Sequence, residues 1–118
     1  MEKSDVLKEI FNSIEKNSGG RATICSIEEK GTLPSSPFLK VDGVRVGRDI
    51  YGYWMMGCIR GWELAVSLFA LEVIVPVRQM GLTESYNVAS EKTRIFGHTI
   101  FSSEAIPKWD KIFEPPFN

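Results

Sequence analysis

Histidine is nearly missing from this sequence of 118 residues: His98 is the only imidazole. A zinc motif or a His-pair metal site needs at least two such ligands from one chain, so neither can be built here. Cysteine is almost as scarce. Cys25 and Cys58 are too few for a disulfide framework, and both sit among apolar neighbours, where a buried inert thiol is the ordinary outcome. A Cys–His pair with His98 stays open as chemistry, although His98 itself reads as a hydrogen-bonded structural residue. Neither GxGxxG nor GxxxxGK[ST] occurs, so Gly43, Gly47, Gly52, Gly57 and Gly61 form no phosphate loop. The expectation is a chain with no catalytic residue, no metal and no cofactor.

An excess of charge of one sign is also lacking. Fourteen basic and fifteen acidic residues leave a net charge of −1, and neither half of the chain is a polyelectrolyte. Nucleic acid and anionic membranes are therefore not expected as partners, with a local anion contact through Lys40, Arg45 and Arg48 as the remaining opening. Long charge-free apolar runs are missing too. After Glu63 the longest such run in the central stretch is Leu64 to Leu71, and Arg60, Glu63 and Glu72 would each cost ~2.5–3.5 kcal/mol near a bilayer centre. The N-terminus MEKSDVLKEI is charged and amphipathic rather than basic and then apolar. Together these features imply a soluble, reduced, cytoplasmic protein. Its length suits one domain spanning 1–118 with a real core.

What is present is concentrated in Tyr51 to Val77, YGYWMMGCIRGWELAVSLFALEVIVPV. Read as a helix, this stretch puts Arg60, Glu63 and Ser67 on one narrow polar stripe. Gly57, Gly61 and Ala65 form a stripe of small side chains, and Trp54, Cys58 and Trp62 one of large ones. So thin a polar stripe implies a central helix covered on most sides, capped by Asp49 and ending near Leu71. Pro76 then suggests an edge strand over 73–78.

Around this element the chain reads as follows. Val6, Leu7, Ile10, Phe11 and Ile14 follow the helical period over 4–17, with Asn17-Ser18-Gly19-Gly20 as a left-handed stop. RATICSIE, residues 21–28, reads as a strand, and GTLPSSP as a surface loop. FLKV-DG-VRVG is a type I′ hairpin in which Val41 opposes Val44, Lys40 opposes Arg45, and Leu39 opposes Val46. Residues 80–92 are polar and weakly periodic, a long loop or a short helical turn. RIFGHTIFS, 94–102, reads as a strand with a mid-strand glycine. The tail alternates aromatics with prolines and charges, and Trp109, Ile112 and Phe113 are expected to dock. The fold class is therefore α+β: a small antiparallel sheet with an N-terminal helix and a long central helix packed on one face.

The run ATICSIEEKGTLPSSP, followed by VDGVRVG and GCIRGWE, resembles the N-terminal module of xanthine dehydrogenase accessory proteins over residues 22–63. Those proteins have an ATV strand, a GSSP loop, a DG hairpin and a glycine–cysteine turn, so the resemblance implies an accessory role. This sequence departs from them in a shorter loop-to-hairpin spacing and in Tyr53-Trp54-Met55-Met56, which interrupts the glycine run. Nothing in it corresponds to their nucleotide-binding domain.

Two further functions compete. A poor catalytic inventory beside surplus aromatic surface suggests a non-enzymatic interaction domain, a homodimer using Gly57, Gly61 and Ala65 or the tail residues Trp109 and Phe113. Alternatively, Trp54, Arg60, Trp62, Glu63 and His98 would line a small-molecule pocket between helix and sheet, binding a ligand or supporting simple enzymatic chemistry. Tyr51, Tyr53 and Trp54 at the helix entrance suit either core packing or stacking on a flat ligand. Arg60 and Glu63, at i and i+3, are expected to pair. Glu63 and Glu72 fall roughly 180° apart and make no acid–base couple.

Overall fold

The structure, a computed structural model, describes residues 3–26 and 36–100. Helix α1, Lys3–Lys16, buries Leu7, Ile10, Phe11 and Ile14, the face its period dictates, each side chain contributing about 1.5–3 kcal/mol. It ends where Gly19 and Gly20 take φ of 63° and 85°. Ser18 Oγ bridges the exit: it donates to Glu15 O at 2.8 Å and accepts the Ala22 N–H at 3.0 Å.

Strands β1, Ala22–Cys25, β2, Phe38–Val41, and β3, Val44–Val46, form one antiparallel sheet in the order β1-β2-β3. The hairpin register is the one its sequence dictates, with Leu39, Lys40 and Val41 opposite Val46, Arg45 and Val44. Asp42 at φ 53° and Gly43 at φ 81° make the turn. Ala22, Leu39, Val41 and Val46 face the core. On the free edge of β1, the Ile24 N–H donates to the Glu15 carboxylate at 2.8 Å. The fold class is thus α+β, with an antiparallel sheet and a helical layer.

The helical part departs from the sequence reading in three places. The central helix is not continuous: α2, Ile50–Arg60, and α3, Trp62–Phe69, meet at Gly61, whose φ of 105° and ψ of 146° are essentially confined to glycine. The break folds the Trp62 ring over Gly57, where any Cβ would collide with the indole. It also lets both helices reach α1. Phe69 stacks on Phe11 with centroids 5.8 Å apart and meets Tyr53 edge-on at 5.2 Å. Asp49 caps α2 as expected, accepting the Gly52 N–H at 2.8 Å.

Residues 73–78 are helical rather than an edge strand. A π turn, Ala70–Ile74, runs from α3 into α4, Val75–Gln79, with the Val75 N–H bonded to Ala70 O. That slip of one residue places Pro76 in the first turn of α4, where a missing N–H costs little. Complete burial of Val73, Ile74 and Val77 overrides their β-branched preference.

The polar stretch and the supposed strand 94–102 lie, to residue 100, in one helix, α5, Thr83–Ile100. Its inner face is Ser85, Ala89 and Thr93, all fully buried. Both hydroxyls are satisfied, Ser85 Oγ donating to Ile14 O at 2.8 Å and Thr93 Oγ1 to Ala89 O at 2.7 Å. Lys92 reaches Glu9 at 3.0 Å, so α5 lies along α1. Among the described residues no helix is long and apolar enough to cross a membrane.

Candidate interaction surface

Helix α2 buries Ile50, Tyr53 and Gly57. At 100° per residue, Tyr51, Met55, Cys58 and Ile59 then share the opposite arc, with Trp54 on its flank. Ile59 is 67% exposed, Tyr51 43% and Trp54 37%. Tyr51 and Trp54 stack on each other with centroids 6.1 Å apart. No charged residue falls on this arc: the sole charge of α2, Arg60, lies across the helix at its last position. On α3 and the π turn a second ridge is apolar and open, formed by Leu64 and Leu71, 43% and 54% exposed, with Leu68 between them packed on the core.

The residues singled out from sequence are distributed differently from the expected pocket. Trp54 is on the surface and Trp62 is half-buried over Gly57. Arg60 ends α2, while Glu63 opens α3, both exposed; the break at Gly61 removes the single-helix i, i+3 relation between them. A carboxylate in the first turn of α3 complements the helix dipole. His98 belongs to α5, and its side chain lies outside the described residues, as do Trp109 and Phe113 altogether. The small-residue stripe is not one surface. Gly57 is covered by the chain's own tryptophan, Ala65 is buried in the core, and Gly61 is the corner itself.

The basic cluster is largely engaged. Arg45 lies over the Phe38 ring at 4.5 Å, and Arg48 Nε donates to Glu72 Oε1 at 3.2 Å. Both cysteines are free thiols, Cys58 exposed on the α2 arc. Among the described residues no group of three or more His, Cys, Asp or Glu side chains is arranged to hold a metal ion.

Sequence reasoning missed a polar knot beneath this surface. The Tyr53 hydroxyl accepts the Arg48 N–H at 3.0 Å and donates to Glu72 Oε1 at 3.0 Å. A Cβ at Gly47, which has φ 70°, would collide with that hydroxyl and with Val73. The knot ties the β3–α2 turn to the π turn. All the sequence offers toward it is a glycine beside an arginine, Gly47-Arg48, which by itself points nowhere. Burial is the main reason the Tyr53 phenol ionises well above its ordinary range; the Arg48 N–H opposes the shift and Glu72 reinforces it.

The folded phenol is therefore neutral, and the stability it lends is complete below the unfolded value of about 10. That stability is lost as pH rises through and beyond that value, because the unfolded chain ionises first. The unfolding midpoint should accordingly fall above pH ~10, and less steeply in Tyr53→Phe. Parallel pH profiles for the two proteins would show that Tyr53 is not the group responsible.

No protein-family profile, no curated protein and no solved structure matches the chain. Two of the features that resemble the accessory proteins, the ATIC strand and the DG hairpin, are formed. Their glycine–cysteine turn has no counterpart, since Gly57 and Cys58 are both inside α2.

Proposed function

We propose that this chain is a non-enzymatic interaction domain that forms a homodimer through the outer arc of α2. The observation carrying this reading is the arc itself: just over two helical turns of exposed Tyr51, Trp54, Cys58 and Ile59 without a charge. A two-fold contact brings a patch against its own copy, so a charge near the axis would face its like and one away from it would be desolvated against apolar residues; a charge-free apolar arc avoids both penalties. Large apolar side chains left open in a group are what association surfaces offer. The knot at Tyr53 supports a scaffold role for the polar residues beneath, because its carboxylate is already engaged by a guanidinium and a phenol. A cytoplasmic, reducing setting accompanies the proposal, in keeping with two free thiols.

Ile59→Lys tests it. The substitution is on the surface and should change folding stability by no more than about 0.5 kcal/mol. At the centre of a contact it should cost about 2 kcal/mol, roughly a 30-fold weaker dimer. Sedimentation equilibrium of both proteins reads this directly. Equal association of the two, or a wild-type chain monomeric across the accessible concentrations, would sink the proposal.

A further inference from the structure

We propose that Gly61 is a hinge through which two copies of this chain exchange halves, the described residues before Gly61 in one packing on those after it in the other. The exchange does not rest on the outer arc of α2, because it re-forms in trans the contacts that one chain makes on its inner faces.

Three observations carry the inference. First, a single residue separates α2 from α3, and helical hydrogen bonds approach it from both sides, Gly61 N–H to Gly57 O at 3.1 Å and Ala65 N–H to Gly61 O at 3.2 Å. Turning that one residue to helical angles fuses Ile50 through Gln79 into one helix of roughly 45 Å. No proline intervenes before Pro76, which the π turn already accommodates. Open space surrounds the Gly61 Cβ position, so the bend is not held by packing at the corner residue itself.

Second, the sheet lies wholly in the first half, so no β-ladder is cut by exchange. The described links between halves are made by side chains, among them Phe11 and Tyr53 with Phe69, Arg48 and Tyr53 with Glu72, Arg21 with Met80 O, Ser85 with Ile14 O, and Lys92 with Glu9. Each can be satisfied equally by a second copy. Third, the packing of α2 against α3 belongs to the bend, with the Trp62 ring over Gly57 as its tightest point. It holds the closed monomer and is given up on opening. A closed form that needs a glycine-only corner, against an open form with continuous helix, is a bistable element.

Gly61→Ala penalises the closed corner and leaves the straight helix untouched. Each closed corner should be disfavoured about tenfold, matching a positive-φ penalty of ~1.4 kcal/mol for a residue with a Cβ, and because an exchanged dimer releases two corners its association constant should rise about a hundredfold. Adding Ile59→Lys to the same chain removes association through the outer arc. The readout is the Glu9–Lys92 pair, which straddles the hinge and which a carbodiimide joins without a spacer. Chains with and without ¹⁵N are unfolded together and refolded, then cross-linked and digested.

In the exchanged dimer about half of the Glu9–Lys92 peptides pair one isotope with the other, by random mixing of the two chains. In the closed monomer, or in a dimer through the outer arc, every such peptide is of one isotope. A Gly61→Ala, Ile59→Lys chain that stays monomeric, or forms a dimer with same-isotope links only, overturns the hinge. Should that chain fail to fold, the Ile59→Lys chain refolded at high concentration decides. Mixed-isotope links in its dimer fraction support exchange, and their absence rejects it.

Discussion

Phe69→Ala should unfold with about 3–5 kcal/mol less stability than the wild type, the range found when a fully buried phenylalanine is cut to a methyl. Phe69 is completely buried, and it is where α1, α2 and α3 meet: Phe11 stacks on one face and Tyr53 presents its edge to the ring. Removing it strands two aromatic neighbours around a void rather than one. Neither can collapse inward, because Phe11 is fixed by α1 and Tyr53 by its hydroxyl bonds to Arg48 and Glu72. Domains of this size have about 5–15 kcal/mol in total, so the variant should stand near its threshold at room temperature. Urea titration followed by tryptophan fluorescence measures it. A loss under about 1 kcal/mol would mean the site relaxes, and that the three helices are not locked through this ring.

The second large effect belongs to α5. Ala89→Leu should cost about 1–3 kcal/mol or more, although leucine is as good a helix former as that surface normally wants. Ala89 is fully buried in the middle of the Ser85–Ala89–Thr93 face, between two residues whose hydroxyls are bonded to main-chain oxygens. One of those oxygens, Ile14 O, belongs to α1, which fixes how closely the two helices approach. Three added carbons push them apart and strain the Ser85 bond and the Lys92–Glu9 pair together. Thermal unfolding compared with an Ala89→Ser control separates volume from chemistry: serine should be mild and leucine severe. Equal midpoints would show that α5 is looser than this packing implies.

That same face explains most of what the sequence did not disclose. Helix α1 was legible because its inner positions are large and apolar and recur with the helical period. The hairpin was legible because Asp42 and Gly43 demand one turn type, which then sets every pair beyond it. The inner face of α5 carries small and hydroxylated residues, so a search for apolar periodicity sees only a polar stretch. A small-residue stripe was recognised, but at Gly57, Gly61 and Ala65, where the helix turns a corner.

The two remaining misreadings have one cause. The β-branched residues around Pro76 favour a strand locally, and the helical period on both sides of Gly61 reads as one unbroken helix. Tertiary burial decides against both, through the π turn in the first case and the Trp62–Gly57 contact in the second. For the candidate surface, the aromatics at the entrance of α2 were noticed as stacking groups, and Trp54 was assigned to a pocket. That Tyr53 turns inward while Tyr51 and Trp54 turn outward depends on Arg48 and Glu72, which are 24 residues apart. No local pattern carries that information.

The Glu15 carboxylate on the Ile24 N–H has a consequence for behaviour at high concentration. An open strand edge is a template on which further chains add and fibrils grow. At β1 a helix side chain occupies the donor an incoming strand would need. At β3 the strand is three residues long, carries Arg45, and is turned away by Gly47 at φ 70°. A chain with so exposed an apolar helix should therefore come out of solution, when it does, as amorphous or oligomeric material that leaves thioflavin dark, and not as amyloid.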